Sequence, residues 1–315
     1  MPAPAPARGS STCFPRRPTT ASCRPSLSAS ARQQRRSRSC RRTRRAVTFG
    51  PMALVTTPAV VLQTYRYSET SKVVRLATRE LGVQSAMAKG VLRPKSPFGA
   101  GLELLSEGMA QLYFRETREL HTLGAFDVLD LRRDLAADVG RFAGATALAE
   151  VMLKMAPPAP LPLAYDTLTG ALDALAVAPP DAIDAAGVRG MWLLLGVLGF
   201  EPSLATCVRD GAAIVDGTDP VAFSVADGGV ACSNCTPSPP LSRLPRQAYR
   251  DLLALNDARA DLPRLDAPHA AAHRRLVARF VRHHFAETGA LSALDFWERH
   301  AWTPTPSTPA PSAAS

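Results

Sequence analysis

Apolar positions change their period along the chain. Between residues 52 and 118 they gather in short runs: 59–64 is apolar and β-branched, 72–77 reads Lys-Val-Val-Arg-Leu-Ala, and 83–88 follows Gly82. Runs at 102–105 and 109–114 are separated by Ser-Glu-Gly at 106–108. Such runs between Gly and Pro punctuation predict strands. Five of them in about 65 residues predict a small closed or half-closed barrel, and the five-stranded oligonucleotide-binding (OB) fold is the commonest barrel of that size.

From Phe126 the period becomes 3.6. Phe126, Leu129, Leu131, Leu135, Val139, Phe142, Leu148 and Val151 fall at helical spacing before Pro157-Pro158, with a break expected near Gly140–Gly144. Residues 165–178 form the next helical unit, stopped by Pro179-Pro180. Asp181 is placed to cap a helix over 182–198, whose apolar residues crowd all round and put it at the centre of a bundle. Helices resume over 245–255, 268–285 and 291–300.

Composition changes this picture in two ways. No stretch approaches the roughly 18 consecutive apolar residues of a membrane span, so no membrane partner is expected. The formal charge of +10 suggests a strongly basic protein, but the first 50 residues hold 12 Arg and no Lys, Asp or Glu. The rest carries 25 basic and 27 acidic side chains, with a local excess of nine basic over six acidic across 51–125. Residues 1–51 have almost no large apolar side chains and are expected to be disordered. They read as a targeting segment, a nucleic-acid-binding arm, or translation assigned upstream of a true start at Met52; composition favours the last. Residues 303–315, rich in Pro, Ser, Thr and Ala, are likewise expected to be disordered.

Three constellations carry candidate chemistry. Cys207-Val-Arg-Asp210 and Cys232-Ser-Asn-Cys235 have the layout of two zinc-ribbon knuckles, each offering a pair of ligands. Asp210 stands where a fourth Cys would complete the set. The segment therefore reads either as a rare Cys3Asp structural zinc site or as a vestigial knuckle with three reduced thiols. The second constellation is a pair of loops mixing cations with aromatics: Arg66, Lys72, Lys89, Arg93 and Lys95 are candidates for phosphate contacts, and Tyr65, Tyr67 and Phe98 for base stacking. The third is a helix over 273–284 with Arg275, Arg279 and Arg282 at i, i+4 and i+7, a stripe that suits an acidic peptide, a nucleic-acid backbone or plain solvent. The six His have no companion carboxylates at ligand spacing. The sequence contains no phosphate loop, nucleophile elbow, H-E-x-x-H or dinucleotide fingerprint, which favours a binding module over an enzyme.

The order of these parts resembles the RecO family of bacterial DNA-repair proteins from Met52 to about Trp297. The resemblance rests on Val60-Val-Leu-Gln-Thr64, Tyr67-Ser-Glu-Thr-Ser-Lys72, Lys89-Gly90 with Arg93-Pro-Lys-Ser96, Leu198-Gly-Phe-Glu-Pro202 leading to Cys207, and Gly228-Gly-Val-Ala-Cys232 with Cys235. It implies an α+β protein: an OB barrel over 52–122, and an α-helical bundle in two parts, 123–205 and 241–302. A zinc-ribbon-like insertion at 206–240 would separate the two parts. It further implies binding of single- and double-stranded DNA and annealing of complementary strands. The implied partners are RecR, the acidic C-terminal tail of single-strand-binding protein (SSB) and, indirectly, RecA in the bacterial cytoplasm at the nucleoid. Lys89, Arg93 and Lys95 match the family's basic loop, and Cys207, Cys232 and Cys235 match three of its four knuckle positions. Two other classes stay open at this point: a zinc-ribbon RNA- or transcription-associated binder, and a metalloenzyme using the Cys cluster.

Overall fold

The structure is a computed structural model, and it describes residues 53–94, 96, 98, 101–214, 221–235 and 242–299. The expectations for 1–51 and 303–315, and for Lys95, lie outside these residues. The described residues fall within one compact unit.

Five strands open it: β1 (Ala53–Arg66), β2 (Lys72–Thr78), β3 (Gly82–Ala88), β4 (Glu107–Phe114) and β5 (Leu120–Asp130). They pair in the ring order β1-β2-β3-β5-β4, with β4 returning to β1. The first half of β1 pairs with β4 and the second half with β2, through an irregularity between Val61 and Gln63. The shortest seam is β3–β5, four parallel pairs from Ser85↔Leu120 to Ala88↔Leu123.

The apolar run in β1 is continuous because both of its faces are covered. Successive side chains alternate, so Ala59 and Val61 enter the barrel core while Val60 and Leu62 join the core of the helical bundle. The β2–β3 turn completes the docking. Gly82 has φ +74°, and a Cβ there would lie 2.2 Å from the Ala159 carbonyl oxygen, so only glycine allows the close approach. Beside it, Val83 N–H donates to the Pro157 carbonyl and Arg79 pairs with Asp166 at 2.8 Å.

Two expectations for this half are corrected. The run at 102–105 is a turn, not a strand. Leu102 and Leu105 are buried by folding inward, and Leu105 N–H donates to the Val61 carbonyl at 2.8 Å. The fifth strand is β5, whose second half has the spacing that predicts helix from Phe126. Short apolar spacing fits both periods there, and pairing with β4 decides it. The barrel thus runs to Asp130 rather than to 122.

The bundle contains α1 (Arg133–Ala136), α2 (Val139–Met155), α3 (Pro162–Val177), α4 (Ile183–Val197), α5 (Arg246–Asn256), α6 (Ala267–His284) and α7 (Ser292–Arg299). The central helix is α4, as its all-round apolar pattern predicts: Trp192 packs edge-on against Phe280 of α6. Asp181 does not cap α4, which has no side-chain cap. Asp138 and Asp266 cap α2 and α6 instead, accepting from Arg141 N–H and His269 N–H. No break falls at Gly140–Gly144; both glycines lie inside α2, and the space above Gly144 is taken by Leu175 and Trp297. Between α4 and α5 a small sheet of order β7-β6-β8 is formed by β6 (Val221–Ser224), β7 (Gly229–Ala231) and β8 (Ser242–Leu244). Phe223, Val230 and Leu244 belong to the bundle core, so the insertion is anchored by packing rather than pendant.

Candidate nucleic-acid interface and metal centre

Register brings the barrel cations together. Arg66 at the end of β1 pairs with Lys72 at the start of β2, which pairs in turn with Ala88, the residue before Lys89. Leu92 N–H donates to the Thr70 carbonyl at 3.1 Å, tying the turn after β3 to the β1–β2 loop. Buried Val91 anchors that turn, while Lys89 and Arg93 point to solvent. Tyr65 and Tyr67 are 47% and 66% exposed on the same end. Among the described residues, Arg66, Lys72, Lys89 and Arg93 pair with no carboxylate, although Glu69 shares their loop. Phe98 is a correction: it is 4% exposed inside the barrel core, where an aromatic side chain plugs the end instead of stacking bases.

In the insertion, the first knuckle is a tight turn. Cys207 N–H donates to the Ala212 carbonyl, Gly211 N–H returns to the Cys207 carbonyl, and Gly211 adopts φ +73°. The second is the 3-10 turn Ser233–Cys235, closed by Cys235 N–H to the Cys232 carbonyl. Arg209 clamps one knuckle to the other, bonding Asp227 at 3.0 Å and the Cys235 carbonyl at 2.6 Å.

The donor atoms of Cys207, Asp210, Cys232 and Cys235 all lie within 4.8 Å of one another. Asp210 is preset for this task. Its Oδ1 accepts from Ala212 N–H at 3.0 Å, which turns Oδ2 toward the Cys235 and Cys232 sulfurs at 3.0 and 3.3 Å. The Cys235 thiol bond, with the Ala212 N–H next, holds the Asp210 carboxyl well below the usual carboxylate range. Reciprocally, donating to that carboxylate pushes Cys235 up to about 12. Burial raises the Cys207 thiol, but N–H groups of Cys232, Arg209 and Asp210 outweigh it and bring its pKa below the ordinary value. Ligands at zinc's bond lengths would stand about 3.8 Å apart on a tetrahedron. The cluster therefore fits a four-donor ion, with no position left over for a catalytic water.

On α6, Arg275 and Arg279 line a groove of about 360 Å³ with Arg243 of β8, over an apolar floor that includes Leu244, Ala248 and Leu276. Arg282 is a correction. It turns to α7, bonding Asp295 at 2.7 Å and also Glu298, and does not line the groove. Sequence reasoning missed Arg243, which joins through the strand pairing of β8, and His273. His273 is 2% exposed at the groove wall, neither ring nitrogen has a hydrogen-bond partner, and burial lowers its pKa.

The fold is of a class in which a small β-barrel, ending in cations without carboxylate partners among the described residues, is docked on a helical bundle that carries a cluster of four possible metal donors. Residues 52–132 match the family described as recombination protein O N terminal, and 136–290 match recombination protein O C terminal. The chain is 35% identical to the DNA repair protein RecO of Symbiobacterium thermophilum over 187 residues, 59% of this chain and 72% of that one. It is 33% identical to the DNA repair protein RecO of Anaeromyxobacter dehalogenans strain 2CP-C over 232 residues, 71% and 89% of the two chains. The chain belongs to the RecO family of DNA repair and recombination proteins. Among the described residues no helix is long and apolar enough to cross a membrane.

Proposed function

We propose that the protein is a DNA-binding recombination mediator. It holds single- and double-stranded DNA, anneals complementary strands and, with RecR, helps load RecA onto SSB-coated DNA. It acts by binding, not by making or breaking bonds. One observation carries this reading: four described cations without carboxylate partners converge with two exposed tyrosines on one end of the barrel. Lys and Arg loops grip backbones and leave base edges free to pair, as annealing requires. The deciding experiment is a salt series of single-strand affinity for the wild type and for Lys89→Ala/Arg93→Ala. Weaker binding with a flatter salt dependence supports the reading, and an unchanged series overturns it.

The SSB tail is assigned to the α6 groove, where Arg243, Arg275 and Arg279 would meet its acidic residues and the apolar floor its nonpolar ones. RecR and RecA rest on the family resemblance alone, as does action at the nucleoid in the cytoplasm. The metal is proposed to be zinc, and structural, because four protein donors complete its tetrahedron.

A further inference from the structure

The outer face of the barrel carries a second aromatic–cation patch that the basic end does not include. Register aligns Arg75 of β2 with Ser85 of β3, and Ser85 with Leu120 of β5. Tyr113 of β4 stands next on this face, opposite Thr122 and beside Leu54 of β1. Leu54, Tyr113 and Leu120 are 57%, 42% and 39% exposed, an apolar and aromatic row on an otherwise polar surface. A cavity of about 540 Å³ opens over the β3–β5 seam, lined by Arg75, Ser85, Thr117 and Arg118. A smaller one of about 130 Å³ lies between Tyr113, Arg115, Arg118 and Leu120.

The β4–β5 loop that borders both cavities is held in place from below. Buried His121 accepts Arg115 N–H at Nδ1 and faces Gln84 Oε1 with Nε2 at 3.0 Å. The ring therefore carries its proton on Nε2. Gln84 is fixed in turn by donating to the Leu81 carbonyl at 2.7 Å. Arg118 pairs with no carboxylate among the described residues, and Arg75 Nε is buried without a hydrogen-bond partner. Glu116 and Glu119 share the loop, so the patch carries three cations against two carboxylates. Its grip would rest on stacking more than on charge. An exposed tyrosine flanked by arginines is a platform for unpaired bases, since every base has a π-face.

Its position separates it from the basic end. β3 and β5 run parallel, so the 115–119 loop lies toward the Gly82 end of β3, while Lys89 follows the other end. The four steps from Ser85 to Lys89 rise about 13 Å. We infer that Tyr113, Arg118 and Arg75 form a second single-strand DNA site, so that one barrel holds two strands at once. The inference rests on the DNA-binding function proposed above.

The test is the stoichiometry of a short oligo(dT) of about eight nucleotides, within the site size of one OB fold, on the full chain. The wild type is expected to bind two equivalents. Tyr113→Ala/Arg118→Ala and Lys89→Ala/Arg93→Ala should each bind one, and the first variant should also lose about tenfold in annealing rate. Arg118→Glu, paired with a thermal melt, replaces the double variant should that one unfold early. One equivalent on the wild type, or two retained by both Tyr113→Ala/Arg118→Ala and Arg118→Glu, overturns the second site and leaves the proposed function standing. No saturable binding by the wild type overturns both.

Discussion

The basic end of the barrel and the junction where the barrel meets the bundle use the same residue types in opposite ways. At the junction two arginines are held by carboxylates. Arg79 pairs with Asp166, and Arg132, with a side chain 2% exposed, lies between Glu107 and Asp173 while Tyr165 Oη donates to Glu107 at 2.8 Å. At the basic end, Arg66, Lys72, Lys89 and Arg93 have no such partners among the described residues. Paired cations fix the position of one element on another; unpaired ones are left for a partner that brings its own negative charge. Function is thus read from which charges the fold leaves unneutralised, not from how many it has.

The contrast breaks most visibly inside the bundle. Arg274, 3% exposed at its side chain, pairs with Asp184 at 10%. Arg274→Ala strands a buried carboxylate and should cost about 3–5 kcal/mol in urea unfolding, while the fraction that stays folded binds DNA as before. Loss of DNA affinity without loss of stability would erase the division between paired and unpaired cations. Lys89→Ala/Arg93→Ala is expected to do the reverse. Each lost phosphate contact flattens the log–log salt slope by about 0.7, so the pair should remove about 1.4 and leave the melting temperature unchanged.

Much of this division was invisible in the sequence, for a physical reason. Alternation and punctuation placed β1, β2, β3 and β4, and the 3.6 period placed α3 to α7 to within a few residues, while the start of α2 and its unbroken course through Gly140 and Gly144 were missed. These are local properties. Whether Arg282 faces a groove or Asp295, and whether Phe98 is exposed or plugs the barrel, depends on residues distant in the chain. The five residues from Phe126 to Asp130 show the same limit, since their spacing suits a helix and only the ladder to β4 makes them a strand. The knuckle was legible because its ligands are close in sequence and turns of that kind recur. The groove residue His273 gave no local signal at all.

The proposed metal site offers a sharper, intermediate test, because its four donors lie in the insertion and not on the barrel. Asp210→Cys restores four thiolates, and metal retention against a chelator should rise, read by metal analysis of the dialysed protein. Cys232→Ser should lower both metal content and melting temperature. Neither change should move single-strand affinity by more than about twofold if DNA rests on the barrel loops. A parallel fall in affinity would make the knuckle part of the DNA interface.

The smallest effect concerns Arg79 and Asp166, a junction pair whose side chains are 43% and 45% exposed. The guanidinium hydrogen bonds hold the Asp166 carboxyl below its ordinary value. A carboxylate depressed in the folded state adds stability that is present above the ordinary carboxylate range and is lost as pH falls through the folded value. Exposure and salt keep that contribution small. Asp166→Asn should therefore lower stability slightly at pH 7, and the difference from wild type should shrink in high salt and disappear in strong acid. A deficit that persists in acid would mean that the pair holds the barrel to the bundle through packing of the Arg79 stem, and that charge contributes nothing to the junction there.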